Sequence, residues 1–334
     1  MRVLILTTEY LPKIGGSELA IYHLTNRIPD IEFHIVSGNS GGKWLFPMSG
    51  FFRGLWHKYD VIHAFQASYA GGAGVLLKLA RPNVPFIVTL QEGKDLRRQN
   101  ILIRLFRDII LKRADGITAI SDYLLHFAKR VNKKAKFFLL PNGVDVKMFS
   151  YKAPVNPYRI VTASRLVYKN GIDTLIKAMS FLPEDFHLEI FGNGPLDRDL
   201  MDLTELLHLG HRVTFAGKIA PEALPERLAG AGVFVRPSRS EGLGSAFLEA
   251  MAARVPVVAT PVGGIPDFLK EGETGLMVAP DDAQAIAGAI QRITQDADLR
   301  NRLVENAYAM VRDRYDWDLL AKQYYEIIRS YSRI

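Results

Sequence analysis

The residues best suited to chemistry lie in the segment Ser238-Arg239-Ser240-Glu241-Gly242-Leu243-Gly244-Ser245-Ala246-Phe247-Leu248-Glu249-Ala250-Met251-Ala252, which follows the apolar run Val233-Phe234-Val235. Gly242 and Gly244 permit a tight turn and close backbone approach. Ser245 suits the N-cap of a helix running to about Ala253. Backbone N–H groups and a helix N-terminus aimed at one spot suit a diphosphate. Two carboxylates, Glu241 and Glu249, bracket that turn with seven residues between them. An ordinary strand-to-helix connection with two incidental glutamates accounts for the same spacing, so spacing alone leaves both readings open.

Other chemistries find less support. There is no G-x-G-x-x-G after the first strand and no G-x-x-x-x-G-K-[ST]; Gly41-Gly42-Lys43-Trp44 only superficially resembles the latter. H-E-x-x-H is absent, and His208 and His211 read as neighbouring surface residues on one helix face rather than as metal ligands. Asp-x-Asp occurs at Asp197/Asp199, Asp296/Asp298 and Asp316/Asp318, each in a helix-start context where carboxylates favour the dipole. No metal site is expected. The absence of cysteine excludes a disulfide scaffold and a thiol nucleophile, and fits a reducing compartment.

Positioning these residues calls for an α/β framework. Short apolar runs alternate with helical-period segments, the pattern of βα units and a parallel sheet. Strands are predicted near 2–7, 33–37, 60–65, 85–90, 116–120 and 137–140, then near 158–163, 187–191, 212–216, 233–236, 256–259 and 276–278. Between the sets, Ser150–Pro157 holds two prolines and no apolar periodicity, which reads as a linker. Two doubly wound domains follow, residues 1–153 and 154–316. A helical tail, about 317–334 and rich in tyrosine, is expected to pack back on the first.

With that framework, the Glu241–Glu249 segment resembles the Glu-x7-Glu signature of the retaining glycosyltransferases of family 4 (glycosyl transferases group 1), and other positions agree in order. Glu9–Glu18, containing Gly15 and Gly16, resembles the family's Gly-Gly loop after the first strand. Pro141-Asn142-Gly143-Val144-Asp145 with Phe149 resembles its Pro-Asn-Gly-Val-Asp box, Ala163–Gly171 its Arg…Lys phosphate-binding element, and Phe191-Gly192-Asn193-Gly194-Pro195 its Gly-x-Gly-Pro turn. Gly263-Gly264-Ile265-Pro266-Asp267 and Glu273-Thr274-Gly275-Leu276 resemble its last loops.

The resemblance implies a GT-B fold, two Rossmann-like doubly wound parallel-sheet domains facing an interdomain cleft. It implies retaining, metal-independent transfer of a sugar from a UDP- or GDP-linked donor, with no cofactor beyond that co-substrate. The acceptor would be a glycan or lipid-linked molecule of cell-envelope or polysaccharide synthesis. Arg165 and Lys169 would neutralise the diphosphate and stabilise the leaving group; Lys169 stands one residue before the family's usual lysine position, here Asn170. Gly15 and Gly16 would let backbone approach the phosphates from the opposite domain. Glu249 would accept from ribose hydroxyls, Glu241 would contact the transferred sugar, and Gly242, Leu243, Gly244 and Ser245 would supply backbone donors. Asn193, Gly194, Lys218 and Ile219 complete the implied donor site. Same-fold hydrolases, epimerases and phosphorylases are the alternative, and a nucleic-acid binder the least favoured one, since no helix-turn-helix, RRM or zinc module is present.

The first half departs from the family. The histidine usual after the fourth strand is replaced by Gln91-Glu92-Gly93, leaving Gln91 as a polar contact and Glu92 as a base in the implied catalytic set, and of the frequent His-x-His only His63 remains. This half is also basic. Residues 1–153 hold 22 Lys+Arg against 11 Asp+Glu, whereas the rest holds 20 against 24, so the formal +7 of the chain sums two opposite numbers. Lys43–Met48 and Phe51–Trp56 interleave aromatics with cations. Lys94–Arg113 places Arg97, Asn100, Arg104, Arg107 and Asp108 on a polar stripe opposite Ile101, Leu102, Leu105, Phe106 and Ile109. A core-packed helix with a solvated stripe is the expectation there, with contact to an anionic membrane surface as the other reading. The N-terminus lacks a signal-peptide core and no run spans a bilayer. A cytoplasmic protein is expected, peripheral on the membrane if that contact forms.

Overall fold

The structure, a computed structural model, describes residues 1–12, 15–38, 42–93 and 99–331. Gly41, Lys94, Arg97 and the last three residues of the tail lie outside them, as do residues 13–14 of the Gly-Gly loop. The chain forms two units, Met1–Gly143 with Trp317–Ile334, and Val144–Asp316.

In unit 1 the order is β1 (Arg2–Thr7), α1 (Gly16–Asn26), β2 (Glu32–Ser37), α2 (Phe46–Leu55), β3 (Val61–Phe65), α3 (Tyr69–Ala80), β4 (Phe86–Leu90), α4 (Ile101–Arg113), β5 (Gly116–Ala119), α5 (Asp122–Val131) and β6 (Lys136–Leu139). The strands pair in parallel in the order β2-β1-β3-β4-β5-β6. Strands β3, β4 and β5 are buried along their whole length, which is why they read as continuous apolar runs: a parallel sheet is covered on both faces.

Unit 2 repeats the scheme with β7 (Asn156–Ala163), α6 (Ile172–Met179), β8 (His187–Phe191), α7 (Asp197–Leu206), β9 (Val213–Gly217), α8 (Leu224–Leu228), β10 (Ala231–Arg236), α9 (Ser245–Ala252), β11 (Val257–Ala259), β12 (Leu276–Met277), α10 (Ala283–Gln295) and α11 (Ala297–Arg314). Its sheet runs β12-β11-β10-β7-β8-β9, again parallel. All twelve strands fall within two residues of the ranges read from sequence.

The division differs from the expected 153/154. It falls at Gly143/Val144, because Val146 and Phe149 are buried and their short 3-10 turn packs on α8 and α9, while Val144 bridges Asp316. The proline-rich stretch therefore belongs to unit 2 rather than separating two domains. The last helix, α12 (Trp317–Arg329), belongs to unit 1, where Trp317, Leu320, Tyr324 and Ile328 join the core formed by α1, β1 and β3. His63 is part of that packing. It is fully buried, with Nδ1 2.7 Å from the Tyr324 hydroxyl and Nε2 2.7 Å from Thr89 Oγ1. Burial pushes its pKa down to about 3, so it is a neutral core histidine that joins helix to sheet.

Candidate active site

In unit 2 the conspicuous chemistry sits at the carboxyl ends of the strands, where open parallel sheets bind ligands. Strand β10 is an unbroken buried run that ends in Arg236, and Pro237 stops the ladder. The chain then turns through Glu241 and Gly242 into α9. Gly244, not Ser245, occupies the N-cap, with φ +88°. A Cβ at Gly244 would lie 2.5 Å from the Arg236 guanidinium and 2.6 Å from the Phe247 ring, so only glycine fits. Ser245 is the first helical residue and makes no capping bond. Glu249 follows one turn later.

Glu241 is almost fully buried and multiply held. Arg236 Nη2 donates to its Oε2 at 2.6 Å, the Gly242 N–H donates to its Oε1 at 2.8 Å, and Lys169 Nζ reaches Oε1 at 3.5 Å. Its backbone carbonyl accepts from the Gly264 N–H at 3.3 Å and lies where a Cβ on Gly263 would collide. Arg236 is itself buried, stacked 4.2 Å over the Phe247 ring, with Nε unpartnered. It also acts on Glu249. Burial raises the Glu249 carboxyl to about 7, and Arg236 opposes that rise. One arginine thus serves both glutamates of the signature. Sequence reasoning passed it over, and the available signal was a lone cation closing an otherwise apolar strand.

The loop after β7 carries Arg165 and Lys169. Arg165 is exposed and, among the described residues, its guanidinium makes no ion pair. Its carbonyl accepts from Asn170 Nδ2 at 2.7 Å, so buried Asn170 braces the loop, while Lys169 turns to Glu241. Arg239 fixes this loop to the next. Its guanidinium is bidentate on Asp173 at 2.8 and 2.7 Å, bonds the Tyr168 carbonyl at 2.7 Å and Asp281 at 2.7 Å, and its own N–H donates to the Lys169 carbonyl at 2.7 Å.

The other implied donor residues sit alongside. Gly192, with φ +131°, leaves no room for a Cβ beneath the Ser164 carbonyl, and Leu166 N–H bonds the Asn193 carbonyl at 3.0 Å. Asn193 is exposed, and the Gly194 N–H donates to Oδ1 of Asp197, the first residue of α7, at 2.7 Å, so it is not an open donor. Lys218 and Ile219 leave β9 beside this turn, where Gly192 N–H bonds the Gly217 carbonyl at 2.7 Å. Asp296 caps α11 by accepting from the Leu299 N–H at 2.8 Å, and Asp318 pairs with Arg27. His208 and His211 lie past the end of α7 rather than on a shared helix face, and His211 pairs with Glu184.

Unit 1 gathers a separate set at its own strand ends. Gly15 caps α1, and a Cβ there would strike Glu18 Oε2 at 2.5 Å; at Gly16 it would meet Asn142 Nδ2 at 3.4 Å. Glu18 is buried, accepts from Ser17 Oγ at 2.9 Å, and is raised by burial. Gln66, unnoticed in the sequence, holds the left-handed φ of +89° at the end of β3 and links Thr8 to Ser17. Such a backbone in a non-glycine residue marks a site under constraint. Gln91 and Glu92 follow β4, with the Gln91 N–H donating to Glu92 Oε2 at 2.9 Å. Burial raises Glu92 and Arg107 opposes it. Arg107 is therefore not on a solvated stripe: it is buried against Phe127 and donates to Gln99 at 2.7 Å.

Two six-stranded Rossmann-like units, one with a glutamate pair and cationic loops at its strand ends, define a GT-B glycosyltransferase. Residues 144–310 match the family model of glycosyl transferases group 1 and residues 2–148 that of glycosyltransferase family 4. The chain belongs to this family of glycosyltransferases. It is 27% identical to an uncharacterized glycosyltransferase of Methanocaldococcus jannaschii over 95% of both chains. It is 31% identical to the GDP-mannose-dependent alpha-(1-6)-phosphatidylinositol monomannoside mannosyltransferase of Mycobacterium tuberculosis, covering 69% of this chain and 66% of that one. In fold it is similar to sucrose-phosphate synthase from Thermosynechococcus elongatus, with TM-score 0.86, 24% identity and 98% of each chain covered. It is also similar to Anabaena HepE in complex with UDP-glucose, with TM-score 0.85, 21% identity and 99% and 100% covered.

Proposed function

We propose that the chain is a retaining, metal-independent hexosyltransferase that takes its sugar from a UDP- or GDP-linked donor and passes it to a glycan or lipid-linked acceptor of cell-envelope or polysaccharide synthesis. The observation that carries this reading is the arrangement of cations around Glu241. Arg236 holds the carboxylate at 2.6 Å in a buried pair, whereas Lys169 touches it at 3.5 Å with a third of its own side chain exposed. Lys169 stands with its exposed end beside Arg165, where both can meet a diphosphate, while Arg236 keeps Glu241 in place.

In the reaction, Arg165 and Lys169 take up the charge that grows on the diphosphate as the bond to the anomeric carbon breaks. Stabilising a leaving group with cations already in position is the largest catalytic contribution a site of this kind offers. Ionised Glu249 accepts from the ribose hydroxyls, Glu241 orients the sugar, and the backbone from Gly242 to Ser245 donates to it. The relatives support the donor class and setting: one is named as GDP-mannose-dependent, another as a putative colanic acid biosynthesis glycosyltransferase of Escherichia coli, and a structural neighbour was solved with UDP-glucose. Calorimetry with UDP- and GDP-sugars tests the site. Arg165→Ala and Glu249→Ala should lose donor binding while remaining folded, and unchanged affinity in both would remove the assignment. Donor turnover that persists undiminished without any acceptor would favour a hydrolase instead, and loss of transfer in chelator would remove the metal-independent step.

A further inference from the structure

Helix α4 buries Ile110 and Leu111 on its inward side and carries further large apolar residues outward. Its buried residues include Arg107, while Ile101, Leu102, Leu105 and Ile109 are 60, 71, 54 and 55% exposed. Positions 101, 105 and 109 recur at i, i+4 and i+8, so they form one outward stripe, and Leu102 widens it. Arg107 faces inward because Glu92, Gln99 and Phe127 supply its partners there.

Helix α2 also exposes large apolar residues. Its inward positions are Phe46, Gly50 and Gly54, and the two glycines let it lie close on Ala73 and Leu77 of α3. Its outward residues Met48 and Phe52, with Trp44 in the 3-10 turn before it and Trp56 at its C-cap, are 53, 55, 76 and 89% exposed. The two stripes belong to one surface. Both helices flank α3, and Pro47 from one and Phe106 from the other meet over Gly72. Right-handed crossovers in the order β2-β1-β3-β4-β5 place α2, α3 and α4 side by side on one face of the sheet.

We infer that this α2–α4 face is a docking surface for an anionic lipid bilayer. Monomeric proteins rarely expose so many large apolar side chains in one patch without a partner. The fringe selects which partner. Residues 42–58 carry Arg53 and Lys58, besides Lys43 paired with Glu9 at 2.9 Å, and no acidic residue; on α4, exposed Arg104, Lys112 and Arg113 face a single carboxylate, Asp108. Unit 1 as a whole holds 23 Lys+Arg against 12 Asp+Glu. A second copy docking through the same face would set these cations against their own images, whereas anionic headgroups would neutralise them at roughly 1 kcal/mol each. Indole rings at both ends of the α2 stripe, each with an apolar body and an N–H, suit the headgroup boundary.

The test uses the full chain, which reports on the surface by itself. Of its three tryptophans, Trp44 and Trp56 lie on the patch and Trp317 is buried. Vesicles of equimolar phosphatidylcholine and phosphatidylglycerol should shift the emission to the blue, brominated acyl chains should quench it, and the protein should co-sediment. Pure phosphatidylcholine should bind far less. A variant combining Leu102→Ser, Leu105→Ser, Met48→Ser and Phe52→Ser, which keeps both reporters, should lose at least about tenfold in partitioning, the factor set by roughly 1.4 kcal/mol, with donor affinity and thermal midpoint unchanged. Should that variant unfold, Lys112→Glu with Arg113→Glu serves in its place and should lose at least about fivefold per residue at low salt. Failure to bind the anionic vesicles, equal binding to the neutral ones, an unchanged partition in both variants, or self-association through this face seen by sedimentation without vesicle binding would each overturn the inference.

Discussion

Replacing Arg236 with methionine keeps an apolar body over Phe247 and removes the charge. The Arg236 and Glu241 side chains are 6 and 10% exposed and bonded at 2.6 Å. Removing one partner of a buried pair costs about 3–5 kcal/mol, because the other charge is left unpaired. Here Glu241 keeps the Gly242 N–H at 2.8 Å and Lys169 at 3.5 Å, so the lower end, about 3 kcal/mol, is expected. For a domain of this size, roughly 2–4 °C per kcal/mol converts that to about 6–12 °C in Tm. Urea titration and calorimetry of Arg236→Met, Glu241→Gln and the double variant give the coupling directly. The double variant should recover most of the loss, since its buried carboxylate is gone. A single variant within about 0.5 kcal/mol of the parent, or a double variant no better than the single, would refute the idea that Arg236 secures Glu241.

Other perturbations follow from the same geometry. Arg165→Ala should leave Tm unchanged, because its guanidinium is exposed and makes no ion pair among the described residues, yet weaken the donor by roughly 10–150-fold, the worth of charged hydrogen bonds of about 1.5–3 kcal/mol; calorimetry reads both. Glu249 has its folded pKa raised from 4.5 to about 7, so its contribution to stability should be greatest below 4.5, fall as pH rises through that window and level off above it. The fall is at most about 3 kcal/mol at roughly 1.4 kcal/mol per pH unit. Glu249→Gln should flatten it, and urea unfolding against pH would show whether it does; donor affinity should rise over the same range as the carboxylate forms. Tyr324→Phe removes the 2.7 Å partner of His63 Nδ1 and should cost about 1–3 kcal/mol in chemical denaturation, with donor affinity untouched.

Much of this was legible in the sequence, for identifiable reasons. Strands buried on both faces must be apolar throughout, so runs such as Phe86–Leu90 announce themselves. Glycines whose Cβ would strike a carbonyl, such as Gly192 and Gly263, mark the turns that build the site. What stayed hidden depends on partners distant in the chain. Arg107 reads as solvated until Glu92 and Phe127 are seen beside it, and helical periodicity cannot say which face of α4 points inward. Arg236 has its meaning only with Glu241, Glu249 and Phe247 around it. Ser245 looks like a cap because serine caps helices, but the left-handed turn demanded by Arg236 and Phe247 places Gly244 there. The prolines of Ser150–Pro157 look like a boundary, yet Val146 and Phe149 upstream are already buried in unit 2.

The central claim is that a nucleotide-diphosphate sugar binds over the Arg165–Lys169 loop and Glu241, and a thermal-shift panel of nucleotide sugars tests it most directly. One donor should stabilise the parent protein with concentration, by about 2.7 kcal/mol at a hundred times its Kd. The shift should survive chelator and vanish in Arg165→Ala with Lys169→Ala. A panel in which no nucleotide sugar raises the midpoint, or a shift that persists in that double variant, would contradict it.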